Sequence, residues 1–257
     1  MKKNLLFIFL FFLSTQLAFS ADMRFIQVDG AFYNTSNSKN FENLVEKINN
    51  EKNIDFVVFT GNNIAKPNKD DLNSFIKSSQ KLKAPFYVVL GQKDVNKQKG
   101  LGKEEYVKIL SKKVRMHKKA KSPNLVFRKN KVTFIIADGS KEVLPTPNGY
   151  YKDDVLSWIK DELDNPKNQK VVILQHYPLI PPIKKETHYT YRAEDYLKLL
   201  SNYKNVKAIV SGHFDANNEQ TVNGILHIST KNAPTYRIID ILDYDTENPT
   251  FWSTIKE

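Results

Sequence analysis

The chain has 257 residues, no cysteine and a formal net charge of +11 at pH 7. The absence of cysteine excludes a disulfide framework, thiolate metal ligands and a cysteine nucleophile, and the length suits one domain with a sizeable core. The positive balance suits anionic partners, but lysine is spread along the chain rather than gathered into a stripe, so no specific nucleic-acid site is expected.

Residues 1–20 read as a secretory signal. Lys2 and Lys3 give the positive start, Leu5 to Leu13 the apolar run, and Ala18-Phe19-Ser20 the small-residue cleavage site before Ala21. The run is shorter than the roughly 20 apolar residues of a membrane-spanning helix. No cysteine follows it to carry a lipid. The expectation is an exported chain, periplasmic or extracellular, with a single domain over residues 21–257 and no membrane span after cleavage.

Strands and helices then alternate. Met23 to Val28 is a short apolar run, and Phe41, Leu44, Val45 and Ile48 have helical spacing. Asp55 to Thr60 is a buried-strand pattern that stops at Gly61, and Leu72, Phe75 and Ile76 share one helix face. Pro85 to Leu90 is a further strand, stopped by Gly91. Such alternation implies parallel strands with helical crossovers. Residues 96–123 break the rhythm and read as a basic insertion near one edge, with a helix from Lys103 to Leu110. Its densest part, Lys112 to Lys121, is expected as an exposed loop. Leu125 to Phe127 and Val132 to Ala137 flank a hairpin turn. Next come a helix over Asp153 to Leu163, a strand over Val171 to Leu174, a helix over Ala193 to Leu200 and a strand over Val206 to Val210. The remainder is β-rich: Glu219 to Val222, Ile225 to Ser229, Tyr236 to Leu242 and Phe251 to Thr254. Asn223-Gly224 is a hairpin signal between the first two of these. Parallel units followed by antiparallel strands suggest an α/β protein with two stacked sheets flanked by helices.

Ligands of open α/β sheets bind outside the carboxyl ends of the strands. Five such ends carry a turn and a polar residue: Asp29-Gly30-Ala31-Phe32, Thr60-Gly61-Asn62-Asn63, Gly91-Gln92-Lys93-Asp94, Gln175-His176-Tyr177-Pro178 and Ser211-Gly212-His213-Phe214-Asp215. This order resembles the calcineurin-like metallophosphoesterases, whose loops run Asp-x-His, Gly-Asp, Gly-Asn-His-Asp/Glu, a strand-end His and Gly-His-x-His. The resemblance runs from Phe25 to about His227 and implies a four-layer α/β/β/α sandwich of two mixed sheets. It also implies two metal ions that clamp a phosphate and generate a hydroxide.

By family position, the metal ligands fall on Asp29, Asn62, Gln92, His176, His213 and Asp215, and the catalytic imidazole falls on Lys93. The set is reduced. Ala31 replaces the first-loop His, Asn62 the bridging Asp, Gln92 the Asn, and Asp215 the last His. A neutral amide makes a poor bridge between two dications, and an ammonium at Lys93 repels a cation within about 5 Å. Three readings follow. One is a degenerate homologue with a binding or scaffold role and weak or no phosphoesterase activity. The second is a reduced hydrolase with one divalent metal (zinc, iron or manganese) on His176, His213 and Asp215, or with Lys93 as electrophile. The third is an anion-binding protein that holds a phosphorylated ligand through Lys93. No motif names a protein partner.

The other histidines have plainer expectations. His117 is expected in solvent within the basic insertion, and His227 as a structural strand residue. His188, in the loop from Lys184 to Arg192, reads equally as part of a lid over the strand ends or as surface. Nucleophile-elbow, P-loop and dinucleotide-binding motifs are missing.

Overall fold

The computed structural model describes residues 23–185 and 187–257, so the expected signal segment lies outside the described residues. In chain order the elements are β1 (Met23–Val28), α1 (Ser38–Asn50), β2 (Phe56–Phe59), α2 (Lys69–Ser79), β3 (Phe86–Val88), α3 (Lys103–Lys113), β4 (Leu125–Lys129), β5 (Val132–Ala137) and β6 (Gly149–Tyr150). They continue with α4 (Asp153–Asp164), β7 (Val171–Gln175), β8 (Thr190–Tyr191), α5 (Ala193–Leu200), β9 (Val206–Ser211), β10 (Asn218–Val222), β11 (Ile225–Ser229), β12 (Tyr236–Leu242) and β13 (Thr250–Lys256). No described helix is long and apolar enough to cross a membrane.

One sheet has the order β13-β12-β1-β2-β3 and the other β10-β11-β9-β7-β5-β4. Strands β1, β2 and β3 are parallel, as are β5, β7, β9 and β11, while β12, β13, β10 and β4 join as antiparallel partners. Both sheets are therefore mixed. Continuous apolar runs such as Phe56–Phe59 and Val171–Gln175 are buried throughout because each sheet is covered on both faces.

The layers follow from which side chains meet. Phe25, Phe56, Val58, Phe134, Leu174 and Val210 fill the space between the sheets. Phe41, Leu44 and Ile48 of α1, with Leu72 and Phe75 of α2, cover the outer face of the first sheet. Val155 and Ile159 of α4 and Tyr196 and Leu200 of α5 cover the outer face of the second. This is the α/β/β/α sandwich expected from the strand-end motifs.

Two local expectations change. The segment read as a basic insertion packs into the core, with Leu101 and Tyr106 fully buried and α3 extending to Lys113. Within it, His117 is 4 % exposed rather than solvated, and its Nε2 accepts a 3.0 Å hydrogen bond from the Val88 N–H. The reason is topological. β3 is an edge strand, and its outward N–H would otherwise lack a partner. Burial pushes the imidazole down to about 4, so it stays neutral and able to accept. Replacing His117 with Phe keeps a ring but orphans the Val88 N–H. The expected cost is about 1–3 kcal/mol, measured by denaturant unfolding; an unchanged midpoint would refute this role. The short β6–β8 parallel pair, too brief for any pattern, ties residues 149–150 to residues 190–191 beside the strand ends.

Candidate functional site

β1, β2 and β3 end at the same side of the sandwich as β7 and β9, so the five polar loops meet there. Backbone bonds stitch them together: Gly30 N–H to Gly61 O at 3.1 Å and Gly212 N–H to His176 O at 3.1 Å. Several of these loops hold left-handed backbone at residues other than glycine, with φ of 43° at Phe32, 52° at Asn62, 77° at His188, 76° at His213 and 52° at Asp215. Such positions cost about 1–3 kcal/mol each and persist only where the surroundings fix them.

Side chains do that fixing. Asp29 is fully buried; its Oδ2 accepts from the His213 N–H at 2.8 Å and its Oδ1 from the Thr60 hydroxyl at 3.0 Å. Gly212 makes room for this, since a Cβ there would lie 1.7 Å from Asp29 Oδ1. His176, also fully buried, donates from Nδ1 to Thr60 O at 2.6 Å. Its Nε2 lies 2.8 Å from Gln92 Oε1 and 3.2 Å from His213 Nδ1. An amide oxygen facing a bare nitrogen would repel it, so the contact needs an N–H on Nε2 or a Gln92 amide turned to present its nitrogen. Either way Nε2 is engaged. Asn62 Oδ1 accepts the Lys93 N–H at 3.0 Å.

Asp94, not among the expected ligands, is the hub beneath these loops. Its Oδ1 accepts from the N–H groups of Asn63 (2.7 Å) and Ile64 (3.0 Å), and its Oδ2 from the Gly91 N–H (2.8 Å) and Asn63 Nδ2 (3.0 Å). Its signal in the sequence was its place as the acidic residue that ends the third-loop motif, Gly91-Gln92-Lys93-Asp94.

His213 is 6 % exposed, and burial, reinforced by His176 beside it, pushes it down to about 2. Its Nε2 is buried with no hydrogen-bond partner. The His188 ring lies 5.1 Å from the His213 ring, and the His188 N–H is held by Asn148 Oδ1 at 3.0 Å. Lys185 and His188 therefore lie against the strand ends, which favours the reading of the Lys184 to Arg192 segment as a cover. Asp215 is exposed, and its Oδ1 accepts from the Asn232 N–H at 3.0 Å.

These donors do not fit a divalent cation. Each Asp29 oxygen already accepts a hydrogen bond, His176 is engaged at both nitrogens, and of these groups only His213 Nε2 is orphaned among the described residues. Among the described residues no group of three or more His, Asp or Glu side chains is placed to hold a metal. His176, His213 and Asp215, the set expected for one metal, do not form such a group, and Asp215 Oδ1 accepts the Asn232 N–H.

Above the loops lies a cleft of about 440 Å³ whose lining includes Lys66, Lys93, Lys99, Gln92, Thr146 and His188, and no carboxylate. The Lys93 ammonium sits 5.8 Å from the centre of the Phe32 ring. None of the three lysines makes an ion pair among the described residues.

The calcineurin-like phosphoesterase family model matches residues 19–214. No curated protein matches the sequence significantly. Among solved structures, a dimetal phosphatase from Danio rerio superposes with a TM-score of 0.68 at 13% identity, covering 87% of this chain and 94% of its own. GAP50, the anchor in the inner membrane complex of Plasmodium, gives 0.58 at 14% identity, covering 91% and 84%. Phosphopantetheinyl hydrolase from Mycobacterium tuberculosis gives 0.55 at 11% identity, covering 82% and 90%. At these identities the likeness is one of fold.

Proposed function

The chain belongs to the calcineurin-like phosphoesterases, and on that premise we propose that it is an exported, non-hydrolytic member that binds an anionic, phosphorylated ligand at its strand ends. The observation that carries this reading is the closure of the donor positions on one another. Asp29 holds the His213 backbone, Gln92 occupies His176 Nε2, and Asn62 holds the Lys93 backbone. Hydrolysis in the family needs a metal to polarise the phosphoryl group and supply hydroxide. Here the positive charge comes from lysines that line the cleft, and an ammonium attracts an anion without generating a nucleophile. Export rests on the charge, apolar run and small-residue site of residues 1–20. A fold neighbour that serves as an anchor, the Plasmodium protein, lends support to a binding or scaffold role.

The test is a panel of phosphomonoesters and phosphodiesters incubated with the purified chain and Mn²⁺ or Zn²⁺, together with calorimetric titration of phosphorylated ligands. No turnover is expected, and Lys93→Ala is expected to weaken ligand binding about tenfold, a loss of roughly 1.4 kcal/mol that suits one charge-assisted hydrogen bond. Turnover that disappears in His213→Ala would overturn the proposal in favour of the reduced hydrolase. That alternative has one observation on its side, the buried, unpartnered His213 Nε2.

A further inference from the structure

A larger groove, of about 630 Å³, opens at the other end of the sandwich, where β2 and β3 begin and β4 ends. Here the two sheets present their edge strands, β3 and β4, side by side. Tyr87 of β3 stacks on Phe127 of β4 with centroids 3.6 Å apart, and Phe127 stacks on Phe134 at 4.9 Å. Leu82, Tyr87, Met116 and Phe127 give the groove an apolar floor, of which Met116 and Phe127 remain partly exposed.

The rim is cationic. Lys83, Lys113, Arg115 and Arg128 line it, and none has a carboxylate partner. Lys83 reaches Asn49 O, Lys113 reaches Asn73 Oδ1 and Arg128 reaches Asn168 Oδ1, all neutral acceptors. The Arg115 guanidinium makes no hydrogen bond or ion pair among the described residues. The one carboxylate in the lining, Asp55, is already paired with Lys129 at 3.0 Å and accepts the Arg24 N–H at 2.9 Å. Tyr87 is 5 % exposed, and its hydroxyl has no hydrogen-bond partner among the described residues. Burial pushes that hydroxyl up to about 12, so it remains a donor at neutral pH.

We propose that this groove binds an amphipathic anion, with an acyl or aromatic body on the Tyr87–Phe127–Met116 floor and a carboxylate head at Arg115 and the Tyr87 hydroxyl. The volume falls within the range of small-molecule sites, and the pattern of apolar walls with a few polar groups is theirs as well. The charge complementarity is one-sided: four cations without acidic partners surround an apolar surface, so a neutral or cationic amphiphile gains the floor but loses the rim. A guanidinium meets a carboxylate in two parallel hydrogen bonds, which makes Arg115 the stronger anchor. The site is separate from the strand-end cleft and stands whether or not that cleft binds phosphate.

The experiment titrates the full chain with decanoate, decanol and decyltrimethylammonium, each below its micellar concentration, and follows backbone amide shifts by NMR. Decanoate is expected to bind saturably, with shifts at residues 82–87, 113–116 and 127–129, at least tenfold more tightly than either analogue. Arg115→Ala should weaken decanoate about tenfold while leaving decanol unchanged, and Tyr87→Phe should weaken it about threefold. Both variants leave the aromatic stack in place, and an unchanged reference spectrum verifies their fold. Equal affinity for all three amphiphiles, shifts elsewhere, or no binding of decanoate would overturn the proposal.

Discussion

Replacing Asp94 with alanine is expected to lower the stability of the fold by about 4 kcal/mol, more than any single change at the would-be metal ligands. Four N–H groups converge on its two oxygens, three of them from backbone that cannot turn away. Asp94 is fully buried, so water cannot replace the lost acceptor without opening the loops. Each abandoned donor costs about 1–3 kcal/mol, and some relaxation lowers the total below the simple sum. Since domains of this kind are stable by about 5–15 kcal/mol, the variant loses a large share of its margin. Urea unfolding monitored by circular dichroism would measure it. A change below about 0.5 kcal/mol, ordinary for a surface substitution, would show that Asp94 does not hold the second and third loops together.

Acidification from pH 7 to pH 4.5 is expected to cost the fold about 5 kcal/mol net. His117, His227 and His213 are buried, and desolvation pushes the first two down to about 4 and the third to about 2. In the unfolded chain an imidazole takes its proton near pH 6.5, so between pH 6.5 and about 4 the unfolded state binds more protons. The stability these groups contribute is complete above pH 6.5 and is lost as pH falls towards 4, about 2–3 kcal/mol from each. Asp94 works in the opposite direction. Desolvation raises it to about 6, so its protonation on acidification favours the folded state and offsets roughly one imidazole. His227 Nε2 is buried without a partner, so His227→Phe breaks no hydrogen bond at that atom. Urea midpoints at pH 7 and pH 4.5 should show the variant about as stable as the parent at neutrality and distinctly less sensitive to acid. Identical pH slopes for the two proteins would show that His227 is not the titrating group.

What the sequence revealed and what it withheld have physical causes. Buried parallel strands announce themselves because both faces are covered, so Phe56–Phe59 and Val171–Gln175 read as unbroken apolar runs. The helix faces of α1 and α4 read equally well, since 3.6-residue spacing leaves a visible stripe. The five strand-end loops were legible from their glycines and polar residues in order, and the structure brings Asp29, Asn62, Gln92, His176 and His213 together. Side-chain commitments were not legible. Nothing local says that Asp215 turns to the Asn232 backbone, or that Asp94 serves four donors from two loops. His117 was misread because its neighbours are lysines, whereas its burial depends on an edge strand almost thirty residues earlier in the chain. The β6–β8 pair was too short to leave any periodicity.

The ties among the strand-end loops are all made within the chain: Asp29 to His213, Thr60 to His176, Gln92 to His176, Asn62 to Lys93. A loop cluster fastened by a bound ion gains stability by mass action, about 2.7 kcal/mol at a hundredfold excess over the dissociation constant, and loses it when the ion is scarce. A cluster fastened by its own side chains has no such dependence. Its order is then set by the sequence rather than by the supply of an ion.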